Sequence, residues 1–441
     1  MTSGSSPDLD GLLAEASLAE DSQCWDVAAC LLREAVDHHP GQLGLALRAA
    51  NAFCYGEQPA EALRLYRSVA MDTPQAAAPY LGMGNALRDL NRFEESDQAF
   101  RLCRRLQDTP QAASNHASLL LGLERYEDAF ELSERRFEIA GYSEGRRSSA
   151  AGPGPRETTL VWSEQGLGDT LQYLRWIPAL HRELRSREGK LVVEVEAGLV
   201  RLVQHAFAQL VPVPTIRPLP SPLTPLPAET RGFGLLSLPR LLGGAPLPVG
   251  CSDRGDYLRP ADAKPQDPWP TERPRIGLTW ASGRKGDSPF QWREYRKRSL
   301  NQSQLQHLCE GLLRLGCGLV LVQQGPDRDL CDLPGTARIT TIDPQGDFAD
   351  TAEAILDTDL MISVDTSVAH LTGALGHEGW VLLPWSADPR WLRDRTDTPW
   401  YPSLRLFRQA QPGNWDGVVE RVLEAVARRF QRPVLNPSDW R

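Results

Sequence analysis

The chain lacks the long apolar segments and the basic charge surplus that mark two large classes of protein. Its apolar windows all fall short of the roughly 20 residues that a helix needs to cross a bilayer. Its first residues, MTSGSSPDLD, are polar and acidic where a secretory signal is basic and then apolar. The formal net charge of −9 argues against a general nucleic-acid binder. We therefore expect a cytoplasmic protein without a membrane span and without nucleic-acid partners.

Cysteine is present, but it follows no pairing or metal-binding pattern. The chain has no Cys-x-x-Cys, and no histidine lies at metal-ligand spacing from a cysteine. A free thiol in apolar, helix-like surroundings behaves as a small core residue. We predict no disulfides, no structural zinc and no other metal or cofactor. The eight cysteines are Cys24, Cys30, Cys54, Cys103, Cys251, Cys309, Cys317 and Cys331.

A repeat of about 34 residues occupies the first third of the chain. Equivalent residues recur as Ala28, Ala62 and Ser96, as Leu32, Tyr66 and Phe100, and as Pro40 and Pro74. A further unit follows at a spacing of 33, where Tyr126 echoes Phe93 and Ala129 echoes Ser96. A small residue, a large apolar residue four positions later and then a proline resemble the tetratricopeptide repeat. We expect about four repeats over residues 10–140, forming an α-solenoid that binds a peptide or protein; the alternative is a scaffold or dimer surface.

Residues 141–156, GYSEGRRSSAAGPGPR, lack apolar periodicity and are interpreted as a linker.

Beyond residue 156, short apolar strands alternate with helices, which predicts parallel sheets. The proline-rich stretch 261–274 is the natural hinge between two halves, 157–262 and 270–432. The predicted strands are 191–196, 275–281, 319–323, 339–342 and 360–364, and the predicted helices are 199–210, 304–315, 350–357, 366–375 and 414–429.

Two strand-to-helix turns carry the strongest functional signal. In Leu160–Trp176, LVWSEQGLGDTLQYLRW, an apolar strand passes through a Gly-x-Gly-Asp turn into a helix. In the second, LMISVD at 360–365 precedes a small-residue helix that contains His370. Such turns aim backbone N–H groups and a helix dipole at a phosphate or a reacting hydroxyl. We therefore predict an active-site edge at the first turn and two facing Rossmann-like halves.

Five ordered segments resemble one family. They are SEQGLGDTLQYLRW, GLLSLPRLLG, IGLTWASG followed by RKRSL, VDTSVAHLTGALG, and PRWLRDRTDTPWYPSLRLFRQ. From about Glu157 onward the chain resembles bacterial tetratricopeptide-repeat glycosyltransferases whose catalytic part is related to the lipopolysaccharide heptosyltransferases, and more distantly O-linked N-acetylglucosamine transferase. The resemblance implies a GT-B fold of two Rossmann-like domains, with the acceptor toward the first and a nucleotide-sugar donor mainly on the second. It also implies metal-independent transfer, with Asp169 at the position proposed as general base and with Lys297 and Arg298 near the phosphates.

Each candidate residue also has a structural interpretation. Thr366, Ser367 and His370 lie where they could donate hydrogen bonds to a pyrophosphate, but Asp365 and Thr366 also suit a strand end and a helix cap. Asp169 could equally be a residue of the helix start that has no catalytic role, because the positive end of the helix dipole stabilises a carboxylate there. The basic stretch around Lys297 and Arg298 is also typical of a solvated face.

The remaining candidates lie beside the first turn and in the aromatic tail. Glu164 and Gln165 either orient the acceptor or cap the turn, and Gly166 and Gly168 are small residues that any tight turn requires. The tail, 385–409, is rich in tryptophan and is interpreted as packing, with Arg390 or Arg395 as possible donor contacts.

The leading functional hypothesis is an inverting glycosyltransferase that moves a sugar from a nucleoside diphosphate sugar to a protein or glycan, the acceptor being presented by the repeats. A catalytically silent GT-B relative that acts as a protein-binding scaffold is the chief alternative. Hydrolysis or epimerisation of a nucleotide sugar is a third, because the same fold supports all of them.

Overall fold

The computed structural model describes residues 8–227, 230–244, 246, 255–260, 273–283, 288–330, 339–343 and 345–431. The chain divides into two compact units. The first combines Met1–Ile139 with two later stretches, Arg284–Arg296 and Asp388–Arg393. The second contains Ala140–Gly283, Lys297–Ala387 and Asp394–Arg441. The predicted hinge at 261–274 lies outside the described residues except for its last two.

The N-terminal region is a run of helix pairs with the predicted period. A residue shortly after each pair's first helix turns the chain with a left-handed φ of 57–59°, at Gln23, Glu57, Asn91 and Glu124. These positions are separated by 34, 34 and 33 residues, the spacings deduced from the apolar pattern. Four pairs are described, in agreement with about four predicted repeats. The helices are α1 (Leu9–Asp21), α2 (Trp25–His38), α3 (Leu43–Tyr55), α4 (Pro59–Asp72), α5 (Ala77–Asp89), α6 (Phe93–Leu106), α7 (Pro110–Gly122) and α8 (Tyr126–Ser133).

Small residues let helices approach within a pair. A Cβ at Gly84 would lie 2.6 Å from the Phe100 ring, and the Ser96 hydroxyl donates to the Gly84 carbonyl at 2.6 Å. Ser96 and Phe100 are both fully buried. The third repeat therefore satisfies this buried hydroxyl on the backbone of the helix that it contacts.

The first unit also holds two segments from the C-terminal half of the chain. One of them contains most of helix α13 (Pro289–Arg298). Ser288 directly precedes this helix, and its hydroxyl accepts a hydrogen bond from the Gln291 N–H, which caps the helix start. Arg293 on this helix forms a buried ion pair with Asp89 of α5. The basic stretch interpreted as a solvated face or a phosphate contact is therefore mainly a helix with one buried arginine.

The first sheet has four parallel strands in the order β3-β2-β1-β4. Leu160 of β1 lies opposite Val192 of β2 and Gly232 of β4. The apolar residues of β1 are buried on both faces, as in a sheet covered by helices. The strands are β1 (Thr158–Trp162), β2 (Lys190–Val195), β3 (Thr215–Pro218) and β4 (Thr230–Gly234), and the helices are α9 (Leu167–Tyr173), α10 (Ile177–Ser186), α11 (Val200–Phe207) and α12 (Leu238–Leu242).

The predicted linker 141–156 needs correction, because part of it packs along this sheet. The hydroxyls of Ser148 and Ser149 accept hydrogen bonds from the N–H groups of Gly234 and Gly232 in β4. Arg146 is buried and pairs with Glu194 of β2 at 2.6 Å. Ser148 and Ser149 therefore form hydrogen bonds with β4, and Arg146 forms an ion pair with β2, although this segment was predicted as a linker.

The second sheet has six parallel strands in the order β10-β9-β8-β5-β6-β7. Counted within this sheet, that order is 6-5-4-1-2-3, the doubly wound arrangement of dinucleotide-binding folds. The five predicted helices and the strands at 275–281, 319–323 and 339–342 are present with shifted ends, and the strand at 360–364 has the predicted bounds. Strands β3, β4, β9 and β10 were not predicted. The strands are β5 (Arg275–Thr279), β6 (Gly318–Leu321), β7 (Ile339–Thr341), β8 (Leu360–Val364), β9 (Gly379–Leu383) and β10 (Leu404–Arg408), and the helices are α14 (Gln302–Arg314), α15 (Phe348–Leu356), α16 (Ser367–Ala374) and α17 (Asp416–Arg429).

Among the described helices, none has both the length and the apolar character required to cross a bilayer. The described part of the chain also contains no cluster of three or more His, Cys, Asp or Glu side chains suited to a metal ion.

Candidate functional site

The strand order of the second sheet reverses between β5 and β8. In open α/β sheets, ligands bind in the crevice that this reversal leaves at the carboxyl ends of the strands. Asp365 and Thr366 follow β8 directly, and Trp280 follows β5. The predicted donor residues therefore lie at the point where the topology opens a crevice.

Helix α16 presents its positive end at this edge. Thr366 precedes the helix in an extended conformation, and its side chain makes no capping hydrogen bond to the first turn. The first N–H groups of a helix have no partner within the helix, so an anion bound there would meet oriented donors and the positive end of the dipole. Thr366 and Ser367 are partly exposed, whereas Asp365 is only 3% exposed.

Two guanidinium groups lie near Asp365. Arg298 Nη1 is 3.8 Å from Asp365 Oδ2 and 3.5 Å from its carbonyl oxygen. Burial lowers the pKa of Arg408 to about 10, against the opposing effect of the Asp394 and Asp365 carboxylates. Because an arginine at that pKa is still charged at neutral pH, Arg298 and Arg408 together make this edge favourable for an anionic group. Lys297 lies in the same last turn of α13 and is partly buried.

The Gly-x-Gly-Asp turn of the first sheet is built by its own hydrogen bonds. The Asp169 carboxylate accepts the Gly166 N–H at 3.0 Å, so it caps the start of α9. Gln165 is exposed with a left-handed φ of 61°, and its amide lies 3.4 Å from the Tyr142 hydroxyl. Asp169 therefore lies in the first turn of α9, as its structural interpretation requires, and it also makes a capping contact that the sequence analysis did not specify.

Glu164 has a structural contact as well. Its carboxylate is buried and accepts the Leu236 N–H at 3.2 Å, just beyond the end of β4. A Cβ at Gly234 would lie 2.2 Å from this carboxylate, so only glycine fits beside it. Glu164 thus ties β1 to β4 where the order of the first sheet reverses.

The two predicted turns meet in the second unit. A Cβ at Gly168 would lie 2.7 Å from Cδ2 of His370, so the absence of a side chain at residue 168 allows α9 to contact α16. His370 is 5% exposed. The structure therefore packs α9, which begins in the Gly-x-Gly-Asp turn, against α16, with Gly168 facing His370.

Sequence reasoning gave no role in the site to Arg408, nor to two further side chains, Tyr401 and Arg175. The Tyr401 hydroxyl lies 2.9 Å from His370 Nδ1. Arg175 is 1% exposed, and its guanidinium lies 4.7 Å from the Tyr401 ring centroid. The packing interpretation of the tail holds for Trp391, Trp400 and Tyr401, which are almost fully buried, but it gave no role to the Tyr401 hydroxyl.

The two arginines suggested as donor contacts have partners in their own segments. Arg395 pairs with Asp397 at 2.9 Å, and the two side chains are 36% and 68% exposed. Arg390 pairs with Asp388 at 2.9 Å and belongs to the first unit. Arg298, whose Nη1 lies 3.8 Å from the Asp365 carboxylate, is therefore a better candidate for contacting an anion.

Comparison with known proteins identifies no family for the chain. No family model matches it. FlbA of Caulobacter vibrioides is 25% identical over 403 residues, which cover 80% of this chain and 62% of FlbA. The chain thus spans less than two thirds of the length of this curated relative.

Solved structures resemble part of the chain. TTC0263, a thermophilic TPR protein of Thermus thermophilus, is 20% identical, covers 30% of this chain and 75% of its own, and has a TM-score of 0.28. MamA of Desulfovibrio magneticus is 15% identical, covers 30% of this chain and 73% of its own, and has a TM-score of 0.27.

Proposed function

We propose that the chain is a glycosyltransferase with a GT-B catalytic region, which moves a sugar from a nucleoside diphosphate sugar to a protein or glycan with inversion and without a metal ion. The observation that carries this proposal is the contact between the Gly168 turn and His370. It joins a turn suited to an acceptor hydroxyl to a helix start suited to a pyrophosphate.

The donor's diphosphate belongs at the start of α16 in this proposal. Thr366 and Ser367 supply the first-turn N–H groups, and Arg298 and Arg408 supply positive charge beside them. Sugar transfer breaks the bond between the anomeric carbon and the phosphate oxygen, and the electron pair leaves with the nucleoside diphosphate. Fixed donors and cations that meet this growing charge lower the barrier.

The acceptor belongs at the Gly-x-Gly-Asp turn. Its hydroxyl oxygen forms the new bond to the anomeric carbon from the face opposite the leaving group, which inverts the configuration. The hydroxyl proton goes to a carboxylate, and Asp169 is the carboxylate that this turn supplies. The helical repeats are proposed to present the protein or glycan that carries the hydroxyl.

A calorimetric titration of the full chain with UDP, ADP and GDP tests the donor site. We expect one of them to bind the wild type, and Arg298→Gln to weaken that binding roughly tenfold because a charge-assisted contact is lost. Arg201→Gln is the matched control, since Arg201 pairs with Asp347 at 2.6 Å, beside the start of α15, and has no part in the proposed site. Absence of binding by all three nucleotides at millimolar concentration would overturn the proposal.

The corresponding nucleotide sugars separate transfer from hydrolysis. A glycosyltransferase releases the nucleoside diphosphate at a rate that depends on the acceptor. Equal release with and without acceptor would instead favour the hydrolysis included in the third hypothesis, in which water takes the sugar.

A silent scaffold remains the second candidate function, and one observation favours it. Asp169 already accepts the Gly166 N–H, so its presence is explained by the cap alone. A scaffold built on this fold can keep nucleotide binding and lose transfer, which makes Asp169 the residue that distinguishes the two functions.

A further inference from the structure

His370 is held on two sides by groups from different elements. Its Nδ1 lies 2.9 Å from the Tyr401 hydroxyl, and the two rings meet edge to face with centroids 5.7 Å apart. The Cδ2 edge of the imidazole faces Gly168, where an added Cβ would lie 2.7 Å from Cδ2 and 3.4 Å from Nε2. The imidazole therefore has one orientation, with Nδ1 toward Tyr401 and Nε2 on the side of the Gly-x-Gly-Asp turn.

Tyr401 is itself fixed in place. A Cβ at Gly373 would lie 2.3 Å from the Tyr401 ring, so the ring rests directly on the backbone of α16. Arg175 donates to the Trp400 carbonyl at 2.7 Å and holds its guanidinium 4.7 Å from the Tyr401 ring centroid. A phenol packed this closely cannot swing away from Nδ1 without moving α16 or Arg175.

The direction of the hydrogen bond decides the chemistry of His370. A neutral imidazole has one N–H, and the partner of one nitrogen determines which nitrogen carries the proton. A phenol O–H is a stronger hydrogen-bond donor than an imidazole N–H, and an imidazole nitrogen is a stronger acceptor than a phenol oxygen, so this pairing favours the Tyr401 hydroxyl as the donor. If Tyr401 donates to Nδ1, the proton of His370 lies on Nε2.

We propose that Tyr401 is a positioning residue, whose hydroxyl donates to Nδ1 of His370 and holds the imidazole as the Nε2–H tautomer. That N–H then serves as a hydrogen-bond donor to a phosphate oxygen of a nucleoside diphosphate at the start of α16. The opposite direction, with Nδ1–H donating to the phenol oxygen, would leave a lone pair on Nε2 that repels such an oxygen. The identity of the ligand rests on the proposed function, whereas the tautomer does not.

Nitrogen-15 NMR of the full chain with labelled histidine measures the tautomer directly. The His370 signals are identified by their loss in His370→Gln. We expect the Nε2–H tautomer in the wild type and a mixture of tautomers in Tyr401→Phe, which keeps the ring and removes the hydroxyl. Nδ1–H in the wild type, or no change in Tyr401→Phe, overturns the proposal.

Tyr257→Phe is the matched control. Tyr257 also lies beside Arg175, with 5.0 Å between the guanidinium and the ring centroid, but its hydroxyl donates to the Leu171 carbonyl at 2.7 Å. This variant should therefore leave the His370 tautomer unchanged. A second variant, Gly373→Ala, keeps the Tyr401 hydroxyl but displaces the ring and should produce the same mixture as Tyr401→Phe.

A nucleotide titration of the same variants tests the consequence. We expect Tyr401→Phe to weaken nucleoside diphosphate binding roughly tenfold, because the donor is no longer held in place, and Tyr257→Phe to bind as the wild type does. Equal affinity in Tyr401→Phe overturns the positioning role while leaving the proposed function intact. Failure of the wild type to bind any nucleotide overturns the proposed function and the ligand, and the tautomer result is then judged alone.

Discussion

The Asp169 carboxylate has two tasks at the scale of single residues if this edge catalyses sugar transfer. It accepts the Gly166 N–H at 3.0 Å and so stabilises the start of α9. It would also have to take a proton from the acceptor. Capping needs only an oxygen that accepts a hydrogen bond, whereas proton transfer needs a base, so a substitution can separate the two tasks.

Asp169→Asn keeps an accepting oxygen at the cap and removes the base. We expect unchanged folding and nucleotide affinity, and a loss of transfer rate of roughly 10²- to 10⁴-fold, the usual contribution of a general base. The measurement is the transfer rate beside a calorimetric titration of the variant. Transfer at the wild-type rate would show that another group takes the proton.

Gly84 allows a separate residue-scale prediction in the helical repeats. Gly84→Ala should destabilise the first unit by about 1–3 kcal/mol, because the new Cβ would lie 2.6 Å from the Phe100 ring in a packed core. Gly44→Ala in α3 meets nothing within 4 Å and should leave stability unchanged or raise it. Urea denaturation of the two variants makes the comparison, and an equal loss in both would contradict the packing argument.

Residues at strand-to-helix turns could be predicted from sequence because the turn imposes a local pattern. Gly168 and His370 were identified in this way, and they face each other in the structure. Tyr401 and Arg408 were missed because their contacts depend on tertiary structure: Tyr401 is 31 residues from His370 along the chain. The aromatic density of the tail indicated burial, but no local signal indicates which buried hydroxyl meets an imidazole.

At the scale of elements, the apolar run of β8 was predicted, whereas the equally buried β9 and the mixed strands β4 and β10 were not. Strand β8, LMISV, has the bounds expected from its apolar run. Strand β10, LRLFR, alternates arginines with apolar residues, and β4, TRGFG, contains two glycines. Pairing with β9 and β1 forms these two strands, since β-propensity depends on neighbours more than on the segment itself.

Helix α13 shows how a charged segment can be structural. Only 7% of the Arg293 side chain and 5% of the Asp89 side chain are exposed, so both members of this ion pair are almost entirely shielded from water. Arg88 Nε lies 3.7 Å from Asp89 Oδ1, so it is a second, longer contact of this carboxylate. Removing Arg293 takes away the shorter partner of a buried charge, which is far more costly than losing an exposed pair.

We expect Arg293→Met to destabilise the first unit by about 3–5 kcal/mol, and Asp89→Leu in the same chain to recover much of that loss. Arg92→Met is the exposed comparison, because Arg92 and Glu95 are 41% and 46% exposed and such pairs contribute about 0–1 kcal/mol. Denaturant unfolding of these three variants and the wild type gives the comparison. Similar small losses for both arginines would mean that the buried pair does not stabilise this unit.

At the scale of the whole molecule, the division into units is not contiguous in sequence. Apolar periodicity and proline-rich stretches divide a chain into consecutive segments, which is how residues 10–140 were predicted as one domain. The first unit also includes Asp388–Arg393, where Arg393 pairs with Glu94 of α6 at 2.7 Å. Contacts between residues 299 positions apart leave no local sequence signal, so this feature could be found only in the structure.

The parallel sheets were predictable as a class, and their strand order was not. The alternation of strands and helices predicts parallel pairing, but the order β10-β9-β8-β5-β6-β7 follows from how the crossovers pack. This order places Asp365 and Thr366 beside the β5 end, where a crevice forms, and so gives the donor-site proposal its location.

A crystal structure of the chain grown with the nucleoside diphosphate that binds in calorimetry tests the central claim most directly. The account predicts diphosphate density at the carboxyl ends of β5 and β8, within hydrogen-bond distance of the first turn of α16 and of Arg298. Density for the nucleotide at any other place, with this edge filled by water, would contradict it.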